Sequence, residues 1–166
     1  MSVIPIPTNE HERLVELGRY NLVGATPERQ FDAAAKLAAE EFSAPIGLLS
    51  IVGAGTQWFK GRFGTELEST SREASFCTHA MLEAEPTVIL DATRDSRFVQ
   101  NTLVTSAPFI RFYAGAPIVI DGHAFGALCV IDLKPRDSVG QQSLKVLTNL
   151  AAGIARKIGS RASSLS

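Results

Sequence analysis

The stretch Phe112–Asp132, FYAGAPIVIDGHAFGALCVID, constrains the fold of this chain more than any other. Asp121-Gly122 is a strong signal for a two-residue reversal, because a tight hairpin turn of this kind needs positive φ at both central positions. Read as a plain two-residue loop, it sets Ile118 opposite Phe125, Ala116 opposite Ala127, Ala114 opposite Cys129 and Phe112 opposite Ile131. Tyr113, Gly115, Pro117, Gly126, Leu128 and Val130 then share the other face, and Arg111 meets Asp132 at the open end. Both faces are mostly apolar, whereas an antiparallel pair normally leaves one face polar. Such a ribbon belongs in the middle of a domain, with cover on each side.

The flanking segments supply that cover. NEHERLVEL places Leu14 and Leu17 on one face of a short helix. TPERQFDAAAKLAAEEF is a stronger helix, with Thr26 as its cap and Pro27 at the first helical position, where a missing N–H costs nothing. Phe31, Ala34, Ala35, Ala38 and Phe42 recur on one face, and the alanines allow close approach to whatever packs there. Pro45 stops the helix. PIGLLSIVGAGTQWFKGRFG reads as two strands joined at Gly-Ala-Gly, and PTVIL as a short third strand. In the last segment, Ser138 and Gln141 match a capping box. Leu144, Leu147, Ala151, Ile154 and Ile158 follow at helical spacing, with Val146 and Leu150 on a flank. That stripe is wider than one sheet contact requires, so Leu147, Ala151, Ile154 and Ile158 are candidates for a dimer interface. The expectation is one α+β domain: an antiparallel sheet with helices on one face and irregular cover on the other. Its core covers residues 26–158, with a helical lead-in over 1–25 and a flexible tail over 159–166.

The formal net charge of −1, without a basic run, gives no nucleic-acid footprint. The densest apolar run, IGLLSIV, is too short to cross a membrane, and no secretory signal pattern opens the sequence. Two cysteines and no sign of an oxidising compartment suit a cytoplasmic, reduced protein. No phosphate-cradling Gly-rich loop, nucleophile elbow or His-Glu-x-x-His pattern is present, so no catalytic residue is assigned.

SFCTHAML holds the chemistry-bearing side chains of interest. On a helix started by Ser75, Cys77 and His79 point about 200° apart, too far to converge on one metal ion. The helix start favours the Cys77 thiolate, while free cysteine also serves as a small buried hydrophobe. Cys129, mid-strand, reads as core. His79 is either a polar group in a pocket or the partner of a nearby carbonyl or of Asp91. Arg111 either pairs with Asp132 across the ribbon or clamps an anionic ligand beside Tyr113. Asp91, Asp95 and Arg97 suit turn and cap bonds.

Taken in order, QWFKGRFG, SFCTHAM, VILDATRDSRF, the long ribbon and the terminal helix resemble a GAF domain of the type found upstream of bacterial histidine kinases and cyclic-dinucleotide synthases. The resemblance runs over roughly residues 32–158. It implies five or six antiparallel strands, terminal helices on one face, a ligand pocket on the other, and regulation rather than catalysis. It places the pocket near Phe76, Cys77, His79, Asp91, Phe98, Arg111 and Tyr113. The Asn-Lys…Phe…Asp-Glu pattern of cyclic-nucleotide-binding members has no counterpart here. Cys77 precedes the PTVIL strand, too early for the bilin-attaching cysteine of phytochrome-type members, and Thr78 separates it from His79. Methionine-sulfoxide-reducing members use several loop cysteines, against two cysteines here. No metal, bilin or cyclic-nucleotide signature is therefore expected. The resulting expectation is a non-catalytic sensory domain, a homodimer that binds a small molecule and signals through its terminal helices to a kinase or cyclase partner. Two alternatives stand beside it: a thiol-based redox sensor or small redox enzyme using Cys77, and a ligand-free module for dimerisation.

Overall fold

The structure, a computed structural model, describes residues 4–24 and 26–165, with side chains through residue 161. Six strands form one sheet: β1 Ile46–Val52, β2 Thr56–Phe63, β3 Ser69–Ser71, β4 Thr87–Ile89, β5 Phe112–Ile120 and β6 His123–Asp132. Their order is β3-β2-β1-β6-β5-β4, with every neighbouring pair antiparallel. The long ribbon β5–β6 is internal, as its two apolar faces require. Helices α1 (Glu10–Arg19), α2 (Arg29–Glu41) and α5 (Gln141–Leu165) pack on one face. The other face is covered by α3 (Cys77–Ala80), a 3-10 turn at Ala92–Arg94, and α4 (Thr102–Thr105).

The reversal forms at Asp121-Gly122, with φ of 50° and 78°. Its register then departs from the plain two-residue hairpin. Val119 pairs with Ala124 but Ile118 pairs with Gly126, leaving Phe125 as a bulge. From there Ala116 faces Leu128, Gly115 faces Cys129, and Phe112 faces Asp132. A one-residue slip moves each β6 side chain to the opposite face. Leu128 and Val130 therefore join the helix-side core, while Ala127, Cys129 and Ile131 face the cover. Two contacts account for the bulge. Phe125 turns to the helices and meets the Tyr20 ring at 5.4 Å. Gly126 is pressed so closely to β1 that a Cβ there would lie 1.8 Å from the Ser50 carbonyl oxygen.

The expected pairing of Arg111 with Asp132 is lost with the register. Asp132 instead binds Arg136 at 2.9 Å, and the Arg111 guanidinium donates to the carbonyls of Val104 and Ile110 at 3.0 Å each.

Helix α2 lies against β1 and β2 where those strands carry Gly47 and Gly61. A Cβ on Gly47 would fall 2.1 Å from the Ala35 carbonyl oxygen, and one on Gly61 would fall 2.5 Å from that of Phe31. The alanine face read from the sequence thus meets bare backbone. Thr26 and Pro27 do not start this helix. It begins at Arg29, and the lead-in is held instead by the Glu28 N–H donating to the Lys60 carbonyl at 2.9 Å. Helix α5 likewise begins at Gln141, inside the proposed Ser138 box.

The α5 stripe is spent on the sheet. Leu147, Ala151, Ile154 and Ile158 all belong to the helix-side core and are at most 3% exposed. They offer no free surface to a second chain, and an aspartate at either isoleucine would attack the fold itself. The segment expected to be a loose tail continues the helix through Leu165, and Ser166 lies outside the described residues. Arg161 anchors this end, hydrogen-bonding Glu28 and the Tyr20 carbonyl.

Helix α1 buries a charged cluster. Arg13 and Arg72 are 0% and 2% exposed, and the Glu10 carboxylate bridges them, at 2.8 Å from Arg13 and 2.6 Å from Arg72. Both guanidiniums also donate to strand-end carbonyls, Arg13 to Val52 at 2.7 Å and Arg72 to Gly53 at 3.1 Å. Burial alone would raise the Glu10 pKa, but hydrogen bonds and charge from Arg72 and Arg13 outweigh it and bring the carboxyl down to about 2.

Candidate functional site

Between the sheet and its short-helix cover lies a cavity of about 440 Å³. Strand alternation builds its floor: Ile46 and Leu48 from β1, Gln57 and Phe59 from β2, Cys129 and Ile131 from β6, each pair two residues apart. Tyr113 from β5 completes it. Phe76 and Cys77 form one wall, and Leu103, Pro108 and Ile110 another. Leu67, 47% exposed, stands where the cavity meets solvent.

The wall is fixed by side-chain bonds. The Ser75 hydroxyl accepts from the Thr78 N–H at 3.0 Å, starting α3 as its sequence suggests, and donates to the Gln57 side-chain oxygen at 2.8 Å. That oxygen also accepts from Ser50, while the Gln57 amide nitrogen donates to Thr70 at 2.7 Å. Gln57 is thereby used internally, pinning α3 to β1 and β2 from within the sheet. Phe76 stacks on Phe98, with centroids 4.2 Å apart, and tilts against Tyr113 at 5.3 Å.

Among the described residues, the lining holds no Asp, Glu, Lys, Arg or His. Its polar atoms are hydroxyls, one amide and two thiols. Cys77 Sγ lies 3.0 Å from Tyr113 Oη. Burial pushes the Cys77 thiol up, but hydrogen bonds from Cys129, Tyr113 and Ser50 outweigh it and leave this thiol below its ordinary range. Cys129 is pushed up, first by its hydrogen bond to Cys77 and then by burial. Burial, with the neighbouring thiols, also raises Tyr113 well above its usual value.

Of the seven candidates from the sequence, Phe76, Cys77 and Tyr113 line the cavity, and Phe98 backs Phe76. The other three work elsewhere. His79 packs T-shaped on Phe98 at 4.8 Å, and burial and the Arg97 charge hold its pKa below the ordinary value. Asp91 caps the 3-10 turn, accepting from the Thr93 N–H and hydroxyl. Arg111 ties α4 to the chain that follows it, as described above. Cys129 is buried as expected but faces the cavity rather than the helix-side core. Of the floor residues of β1 and β2, only Phe59 carries a sequence signal, its alternation with Trp58 in QWFKGRFG; Ile46, Leu48 and Gln57 carry none of their own.

No group of three or more His, Cys, Asp or Glu among the described residues is placed to hold a metal ion. No described helix is long and apolar enough to cross a membrane.

The family model for the GAF domain matches residues 26–158. A cyclic di-GMP phosphodiesterase of Pseudomonas aeruginosa is 35% identical over 159 residues, which is 95% of this chain but 27% of that protein's length. Among solved structures, the GAF domain of a phosphoenolpyruvate-protein phosphotransferase from Coxiella burnetii superposes with a TM-score of 0.67 at 15% identity, covering 94% of this chain and 96% of that one. A type II free methionine-R-sulfoxide reductase from Thermoplasma acidophilum superposes at 0.63 with 14% identity, covering 79% and 91%.

Proposed function

The chain belongs to the GAF domain family, a family of sensory domains, and from this premise we propose that it is a regulatory module whose cavity binds a small, uncharged and largely apolar molecule. One observation carries the reading: a cavity of about 440 Å³ whose described lining contains no charged side chain. Pockets of this size and character suit small ligands held mainly by apolar contact and oriented by a few polar groups. A phosphate placed there would lose its water with no cation to replace it, at a cost of several kcal/mol per charge. Cyclic di-GMP, named for the Pseudomonas relative, is therefore a poor occupant of this cavity. Among the described residues the lining has no carboxylate or imidazole to move a proton, which supports a binding role over a hydrolytic one.

The route to an output runs through the cover. In α3, the Thr78 hydroxyl donates to the Arg72 carbonyl at 3.4 Å, and the Arg72 side chain holds Glu10 on α1. A ligand that favours one setting of α3 biases α1 only by its differential affinity for the two settings.

Thermal unfolding with uncharged aromatic probes such as indole tests the reading. At 100 times its Kd, a ligand adds about 2.7 kcal/mol, or roughly 5–10 °C in a domain of this size. Leu103→Trp, which fills the cavity from α4, is expected to weaken the probe at least about tenfold while keeping the fold. If cyclic di-GMP raises the melting temperature and uncharged probes do not, the proposal is wrong.

A further inference from the structure

The β6 bulge has a chemical result: it brings the two cysteines of the chain to one spot. Gly115 and Cys129 are directly opposed across β5 and β6. Since Gly115 has no side chain, the Tyr113 ring folds back over it, and a Cβ there would be 2.3 Å from Tyr113 Oη. That hydroxyl therefore sits one strand from Cys129, a separation of about 5 Å between opposed residues. The Cys77 sulfur lies 3.0 Å from the same hydroxyl. Both cysteines line the cavity, and both are free. Nothing in the helix start of α3 or the strand pattern of β6 demands a thiol at either place.

We propose that Cys77 and Cys129 are a redox pair that closes to an intramolecular disulfide when a small hydroperoxide enters the cavity. The Cys77 sulfur attacks the terminal peroxide oxygen. An S–O bond forms, the O–O bond breaks, and the leaving alkoxide takes the proton released by the thiol, giving an alcohol and a Cys77 sulfenic acid. The Cys129 sulfur then attacks the Cys77 sulfur. The S–S bond forms, the S–O bond breaks, and hydroxide leaves with the Cys129 proton as water. Two thiols lose two electrons and two protons to the peroxide, and a soluble dithiol returns the pair by exchange. Cys77 is the attacking sulfur because the Tyr113 hydroxyl lies 3.0 Å from it and its thiol is held below the ordinary range, while that of Cys129 is pushed up. The cavity supplies access, since the cysteines themselves are only 3% and 1% exposed. The new bond joins α3 of the cover to the sheet floor. This pair shares the ligand cavity but does not depend on a ligand being bound there.

The test uses the full chain, fully reduced, exposed to stoichiometric hydrogen peroxide and then alkylated in denaturant. The expected product is a monomer two hydrogens lighter, with neither cysteine alkylated, one cross-linked peptide containing Cys77 and Cys129, and full recovery by dithiothreitol. Cys129→Ser is expected to stop at a dimedone-reactive sulfenic acid on Cys77. Cys129→Ala serves instead if the serine variant does not fold. Tyr113→Phe keeps the ring and is expected to slow the first oxidation at least about tenfold and to shift its pH profile upward. Two alkylatable thiols after peroxide, a disulfide only between chains, or sulfinic acid on Cys77 while Cys129 is intact would each overturn the pairing. Failure of indole to raise the melting temperature would remove the ligand reading and leave these mass measurements untouched.

Discussion

Glu10→Gln is expected to lower the stability of this domain by about 3 kcal/mol at neutral pH, and the loss is expected to fade in acid. Two arguments converge on that size. Removing one partner of a buried ion pair costs roughly 3–5 kcal/mol, because the remaining charge is stranded, and here Arg13 and Arg72 are both left without a counter-charge. The Glu10 carboxyl also moves from an ordinary value of 4.5 to about 2 on folding, a shift that sets an upper bound of about 3 kcal/mol, reduced by solvent screening because the carboxylate is only part-buried. Because the folded-state pKa is the lower one, this stability is present above about 4.5. It is lost as the pH falls from there toward about 2, where the folded protein must also take up the proton. Urea unfolding of wild type and Glu10→Gln should therefore give curves far apart at pH 7 that converge near pH 2. Glu12→Gln, on the exposed side of the same helix, should change stability by no more than about 0.5 kcal/mol. Parallel stability–pH curves for wild type and Glu10→Gln would show that the bridge is not the source.

Gly47→Val is expected to cost about 4 kcal/mol or more, enough to leave much of the protein unfolded at 37 °C. The Cβ of any other residue would lie 2.1 Å from the Ala35 carbonyl oxygen, with the Ala39 methyl 3.2 Å away. That oxygen is helix backbone and cannot rotate aside like a flexible side chain. Relief requires α2 to lift from β1, which opens the interface formed by Phe31, Ala35 and Ala38. Gly55→Ala is the matched control, since nothing lies within 4 Å of its would-be Cβ; its effect should stay within about 0.5 kcal/mol. Circular dichroism melting of the two variants separates the explanations, and equal melting temperatures would refute close packing of α2.

These two sites also mark what can be read from sequence. The alanine face of α2 and the two-sided apolar ribbon carry their periodicities openly, and each emerges where expected. Arg13 could not be read the same way. On a helix with Glu10, Glu12 and Glu16 it looks like one more solvated charge, because its acceptors Val52 and Ala124 lie 39 and 111 residues away. The register of β6 was hidden for a related reason. Asp121-Gly122 fixes the turn, but the bulge at Phe125 answers to Tyr20 and to the crowding of Gly126 on β1, contacts with no local signature. β3, with three residues, is too short to show a period. The resemblance pointed to the covering segment correctly, yet it could not tell which cover side chains face inward. Asp91 and Arg111 are short-range fasteners of that cover, and only the fold distinguishes a fastener from a lining group.

The extra residue in β6 decides which of that strand's side chains the hollow receives. Were the two strands to pair evenly through Phe125, Leu128 and Val130 would project into the hollow and the sulfur of Cys129 would turn toward the long helices. Deleting Phe125 would not do this: Gly126 would still meet Ile118 and Cys129 would still meet Gly115, so the chamber would keep its furniture and lose only the contact with Tyr20. Relatives with and without the bulge should therefore be compared by which residues face inward before they are compared by ligand.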